Sequence, residues 1–367
     1  MHVRHIRETC ARCHGDLRLA SKFGLPLDRV VSFDASYHGL AAKAGAQTVA
    51  NCASCHGVHD ILPSADPKSR VNPENLAATC EQCHPGAGRR FALGPVHQLP
   101  NHAEAPAVRW VRVFYWVLIP VLVGLMALHN AGDWLRKLLR GRQAANPDAI
   151  PELRMFPLER AQHALLGVSF IALAWSGFAL TYPDPWWARP LTLWGRSWEL
   201  RGLIHRTAAV VFLAVAVMHA AALVASPRLR WHWRELRPRR LDVLQAWQQF
   251  RYNLGWGARS PWLNAHDYVA KVEYWAMVWG AAVMGLTGIV LWAHDLALRW
   301  LPKSAVDFVT AVHFYEAVLA TLAIVVWHFY SVIFDPDVYP LDAAFLTGFS
   351  GRTSAPVTDG NPSDVPH

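Results

Sequence analysis

The chain has 367 residues, of which 53% are hydrophobic and only 17% charged, with 18 tryptophans and a mean hydropathy of +0.13. That balance excludes an ordinary soluble enzyme of this size and fits a membrane protein with aromatic residues at its interfaces. A net charge of +8 would suit nucleic acid, but the basic residues concentrate in two loops between apolar segments. Membrane topology accounts for them, and no nucleic-acid partner is expected.

Residues 1–107 are rich in Gly, Pro, Asn and Asp, show no sustained helical or strand period, and hold all six cysteines in three copies of one pattern. These are Cys10-Ala-Arg-Cys13-His14, Cys52-Ala-Ser-Cys55-His56 and Cys80-Glu-Gln-Cys83-His84. In a Cys-x-x-Cys-His pentapeptide the two thiols bond the vinyl groups of a c-type haem and the histidine ligates its iron. One copy could be half of a zinc or redox site; three copies with no cysteine left over point to three c haems. A segment this short would use the porphyrins as its core, giving an irregular, haem-packed domain. His38, His59 and His97 are expected as the second axial ligands, with His2, His5 and His102 as further histidines. Methionine is nearly absent here, so bis-histidine ligation and a low potential are favoured. Covalent attachment of this kind takes place outside the cytoplasm, so residues 1–107 are expected on the periplasmic side. That requires export, and no secretory signal stands before Cys10, so the start is expected to be a processed or truncated end.

Five apolar segments follow, near 108–129, 158–181, 203–225, 272–293 and 308–334, each about the length a spanning helix needs. The fold expected is therefore an all-α membrane protein: a cytochrome domain over 1–107, a membrane domain over 108–345 and a disordered cytoplasmic tail over 346–367. With residues 1–107 outside, the loops at 130–157 and 226–271 lie inside. These carry Arg136, Lys137, Arg140 and, in the second, a run from Arg228 to Lys271, whereas the outside loops are poor in cations. The positive-inside rule and the haem chemistry thus agree on a bacterial inner-membrane orientation.

The fifth segment carries His313 and His328, 15 residues apart, and the third carries His205 and His219, 14 apart. In straight α-helices these gaps span about 22 and 21 Å and bring each pair back to within about 60° and 40° of one side. Two such helices could hold two haems, one at each leaflet. The outer would take His205 and His313; the inner would take His328 with either His163 of the second segment or His219. Each histidine could instead be hydrogen-bonded structurally, but four at matched spacing on two helices favour ligation. His129, at the inner end of the first segment, reads as interfacial.

Residues 158–334 resemble the cytochrome b subunit of formate dehydrogenases (the gamma subunit) and nickel-iron hydrogenases, a four-helix module with two b haems. The matching pieces are Glu159-Arg-Ala-Gln-His163, Ser176-Gly177, Ile204-His205-Arg206, Tyr274-Trp275, Thr287-Gly288 and the two histidines of the fifth segment. The resemblance implies His163 for the inner haem, with His219 the alternative. It departs from the gamma subunit in the presence of His219 and in the His313 to His328 spacing of 15 rather than 14. The chain as a whole also resembles bacterial fusions of a multihaem cytochrome c to a cytochrome b membrane domain.

The function implied is electron transfer between the quinone pool and a periplasmic redox partner through two b and three c haems. The alternative is a haem-bearing anchor subunit of a larger oxidoreductase. A haem-based sensor would need a labile haem and a signalling module, and the sequence shows no soluble output segment. In the resembled family the quinone site lies beside the inner haem, where Tyr252, Asn253, Lys271 and Glu273, with His266 and Asp267, are the candidate residues.

Overall fold

A computed structural model describes residues 3–86, 88–89, 92, 97, 105–141, 152–192, 197–257 and 267–350, with the backbone alone at Val3, Arg4, Ser197 and His232. His2, His102 and His266 lie outside these residues. The chain divides into two units. The first comprises Met1–Tyr115, Ser169–Val210 and Val283–Ala317; the second comprises Trp116–Val168, Val211–Ala282 and Val318–His367.

In place of the irregular chain expected at the N-terminus stand six short helices: α1 (Val3–His14), α2 (Leu17–Lys22), α3 (Arg29–Ala35), α4 (Tyr37–Lys43), α5 (Cys52–His56) and α6 (Leu76–Glu81). Each is too short to show a period in the sequence, and each is fixed by local polar contacts. Asp16 caps α2 through the amides of Arg18 and Leu19, and Asn51 and Ser54 form a reciprocal capping box at α5. Gly57 ends α5 at φ +84°, which a side chain would strain. The Arg7 guanidinium ties α1 to Asp34 of α3.

Among the described residues, five helices are long and apolar enough to cross a membrane. They are α7 (Pro106–Arg140), α8 (Pro157–Thr181), α9 (Ser197–Ala225), α12 (Tyr268–Trp292) and α14 (Lys303–Ala323), the last continuing to Phe334. Between them lie α10 (Pro227–Glu235), α11 (Arg240–Asn253) and α13 (His294–Trp300). Large apolar side chains such as Trp116, Val168, Val217, Trp279 and Leu286 remain exposed on the long helices, as contact with lipid requires.

Two features depart from the sequence reading. Helix α7 runs eleven residues past the expected end at 129, because Asn130, Asp133 and Lys137 recur at helical spacing and are buried or largely buried on one side. The segment after α14 is not α-helical: Ile324–His328 and Tyr330–Phe334 are wider π turns. A π turn absorbs one extra residue, so the spacing of 15 from His313 to His328 places the ring as a spacing of about 14 would in an α-helix.

Residues 346–350, expected as the start of a disordered tail, are structured. Helix α15 (Ala344–Thr347) leads into β2 (Phe349–Ser350), which pairs antiparallel with β1 (Glu152–Leu153). Residues 351–367 lie outside the described residues.

Candidate functional site

On the first unit, His205 of α9 and His313 of α14 have the same surroundings. Ser176 Oγ donates to Ala172 O at 2.6 Å and lies 2.9 Å from His205 Nδ1. Thr287 Oγ1 donates to Val283 O at 2.6 Å and lies 2.8 Å from His313 Nδ1. Each hydroxyl proton is committed to a carbonyl one turn back, so the hydroxyl oxygen accepts from Nδ1–H. The tautomer this fixes leaves each Nε2 lone pair available to a metal. The following glycines make room for the rings: a Cβ on Gly177 would sit 3.3 Å from His205 Cε1, and one on Gly288 would sit 3.5 Å from His313 Cε1. Arg201, buried one turn before His205, donates from Nη1 to Ser176 O at 3.0 Å and stacks over Trp198. Its Nε has no partner among the described residues, a donor that fits an anionic group such as a haem propionate.

On the second unit, His163 of α8 and His328 face one another with ring centroids 6.1 Å apart and planes at 49°. Two imidazoles on opposite sides of one iron, each bonded at about 2 Å, place their ring centres roughly 6 Å apart once the rings' own radius is added. His328 Nδ1 lies 3.4 Å from Glu273 Oε2, and the other Glu273 oxygen accepts from Ser331 Oγ at 2.9 Å. His219 is differently engaged, with Gln162 Oε1 3.3 Å from Nδ1 and the Tyr274 hydroxyl 3.0 Å from Nε2. Neither of its nitrogens is left over.

The N-terminal motifs share a local geometry. In α5, Cys52, Cys55 and His56 stand at i, i+3 and i+4, which puts both thiols and the imidazole on one face. Cys10, Cys13 and His14 occupy the last turn of α1, and Cys80, Cys83 and His84 the end of α6 and the turn after it. Two ring pairs repeat the spacing seen at His163 and His328: His38 with His84 at 6.2 Å, and His56 with His97 at 6.3 Å. Burial pushes the pKa of His38, His56 and His97 down, which keeps these rings in the neutral, metal-binding form. Burial, reinforced by neighbouring Cys10, pushes the Cys52 thiol up to about 11. It also raises Cys55 and Cys80, with Cys83 and Cys55 as their respective neighbours. The second motif therefore stands beside both the first and the third. His59, expected as a distal ligand, is exposed, as is His14.

The family described as prokaryotic cytochrome b561 matches residues 154–342, more than half of the chain. The chain belongs to that family. No curated protein and no solved structure matches it. As a prokaryotic cytochrome b561 it is a multi-pass, membrane-embedded electron-transfer cytochrome b, and its family cofactor is haem b. The paired rings and the orphaned Arg201 Nε fit that cofactor.

The four residues suggested for a quinone each have a partner of their own. The Tyr252 ring lies under the Arg136 guanidinium, Asn253 Nδ2 donates to His129 O at 3.2 Å, and Lys271 Nζ is 2.6 Å from Asp242 Oδ1. Glu273 belongs to the His328 site. The second unit does contain a polar cavity of about 60 Å³, lined by His129, Asp133, Lys137, Tyr268, Trp327 and Tyr330 among others. Lys137 Nζ lies 2.8 Å from both Asp133 and Asp335, and Tyr330 donates to Asp133 Oδ2 at 2.6 Å. His129 Nε2 meets the Tyr268 hydroxyl at 2.7 Å, and both residues line the cavity. Sequence reasoning missed this cluster, although Asn130, Asp133 and Lys137 recur at i, i+3 and i+7 along α7.

Proposed function

We propose that this cytochrome b561 carries electrons between the membrane quinone pool and a periplasmic redox partner, holding two b haems and three c haems. The observation that carries this reading is the recurrence of one imidazole spacing, 6.1 to 6.3 Å, at His163 with His328 and at two of the three Cys-x-x-Cys-His motifs. Haem, when bound, supplies reversible one-electron exchange at iron. The residues proposed to hold it are His205 and His313 for the outer b haem and His163 and His328 for the inner. His14, His56 and His84 are the proximal c ligands, with His97 and His38 distal to the second and third.

Within this reading each residue has a separate task. Ser176 and Thr287 hold the Nδ1 protons of the outer ligands, and Glu273 holds that of His328. Two ligating imidazoles leave no open position, so the sites suit electron transfer and exclude substrate binding at the metal. Proton exchange with a quinol requires titratable groups at membrane depth, and Glu273 beside His328 is the best placed of the four suggested residues; Tyr252 and Lys271 are committed to Arg136 and Asp242. The basic loops support a bacterial inner-membrane orientation with residues 1–107 in the periplasm.

The test is anaerobic addition of a quinol to the purified full-length protein, followed in the α bands of haem b and haem c. Reduction of the b bands before the c bands is expected. Full dithionite reduction with no response to quinol would overturn the quinone link and favour an anchor subunit fed by a protein partner.

A further inference from the structure

A carboxylate stands behind the histidine of the third Cys-x-x-Cys-His motif. His84 Nδ1 lies 3.0 Å from Asp295 Oδ1, and the same oxygen is 3.0 Å from His294 Nε2. A carboxylate oxygen only accepts, so His84 Nδ1 donates to it. The His84 proton is thereby fixed on Nδ1, and its ring stands 6.2 Å from that of His38. Two further contacts hold the same turn to α13. Arg299 Nη2 donates to Pro85 O at 3.4 Å, and a Cβ on Gly86 would come within 3.1 Å of Arg299 Nε. At the second motif the ring facing His56, that of His97, has a neutral partner: the Ser32 hydroxyl, 3.2 Å from Nδ1.

We infer that Asp295 is a positioning residue for the third c haem, orienting His84 from α13 and, through a charged hydrogen bond, holding that haem at a lower potential than a neutral acceptor would. The inference rests on the c-haem reading proposed above. A hydrogen bond from a ligating imidazole to a carboxylate raises the ligand's basicity, and a more basic ligand favours the ferric state. Because α13 follows directly on α12, the same contact attaches the third motif to the loop leaving a membrane-spanning helix.

The test uses the full-length, haem-loaded protein in detergent, titrated potentiometrically at the c-type α band, with low-temperature EPR of the ferric haems. Asp295→Asn keeps the shape and removes the charge; Asp295→Leu removes the acceptor as well. Both are expected to move one of three c components to higher potential and to shift one ferric signal, with covalent haem content unchanged and the b components in place. A titration unchanged in both variants at full haem content would overturn the role of Asp295 and leave the haem reading standing. Absence of covalent haem from the unaltered protein would overturn both. A divalent metal bound at one equivalent by the loaded protein and lost in Asp295→Asn would overturn it in favour of a separate metal site built by His84, His294 and Asp295.

Discussion

The rings of His163 and His328 face one another at 6.1 Å, while His219, on the neighbouring helix at the spacing that made it an equal candidate, has both nitrogens taken by Gln162 and Tyr274. The difference between the two histidines is chemical. A metal ligand must present a free lone pair, and a ring bonded at both nitrogens has none to present.

His163→Ala is therefore expected to abolish one of the two b haems, and His219→Ala to retain both. The pyridine haemochrome ratio of each purified variant checks this. Loss of haem b in His219→Ala, with His163→Ala unaffected, would reverse the assignment.

Ser176→Ala and Thr287→Ala each leave an Nδ1–H without its acceptor, at a cost of about 1 kcal/mol in stability. Both variants should keep two b haems while one b component moves to higher potential, since the ligand loses an acceptor that sustains its basicity. Gly177→Val is expected to be harsher. Its Cβ already meets His205 Cε1 at 3.3 Å, and the branched methyls would displace the ring and release one b haem.

The five membrane-length helices were legible because each is a long apolar run, and the Cys-x-x-Cys-His pentapeptide is itself an exact pattern, repeated without a spare cysteine. The pairing of His38 and His97 with particular motifs was not, since nothing in the spacing of short capped helices says which histidine returns to which turn. His59 is exposed. The π turns around His328 were hidden for a related reason. A one-residue insertion looks like a misplaced ligand until the backbone is seen to widen and restore its direction. The polar cluster on α7 was overlooked because an apolar window ends at Asn130, where the helix itself continues.

That cluster makes a prediction about stability. Lys137 is the cation between Asp133 and Asp335, whose side chains are 11% and 2% exposed. Lys137→Met would leave two buried carboxylates without their partner and is expected to cost about 3–5 kcal/mol. Adding Asp133→Asn and Asp335→Asn should recover part of the loss. Thermal unfolding in detergent measures both, and a Lys137→Met variant as stable as the parent would show that the ion pairs carry little.

Cys55→Ala should lower covalent haem staining by about a third, from three attached haems to two, without changing extractable haem b. Unchanged staining would remove the second motif from the set of attachment sites.

The central claim is the cofactor count, and a pyridine haemochrome spectrum of the purified full-length protein tests it most directly. Three c haems to two b haems per chain is the ratio expected from three Cys-x-x-Cys-His motifs and two histidine pairs in the spanning helices. A spectrum with haem b and no haem c would leave a cytochrome b561 with an N-terminal domain of another purpose, and one without haem b would return His163, His205, His313 and His328 to a structural role.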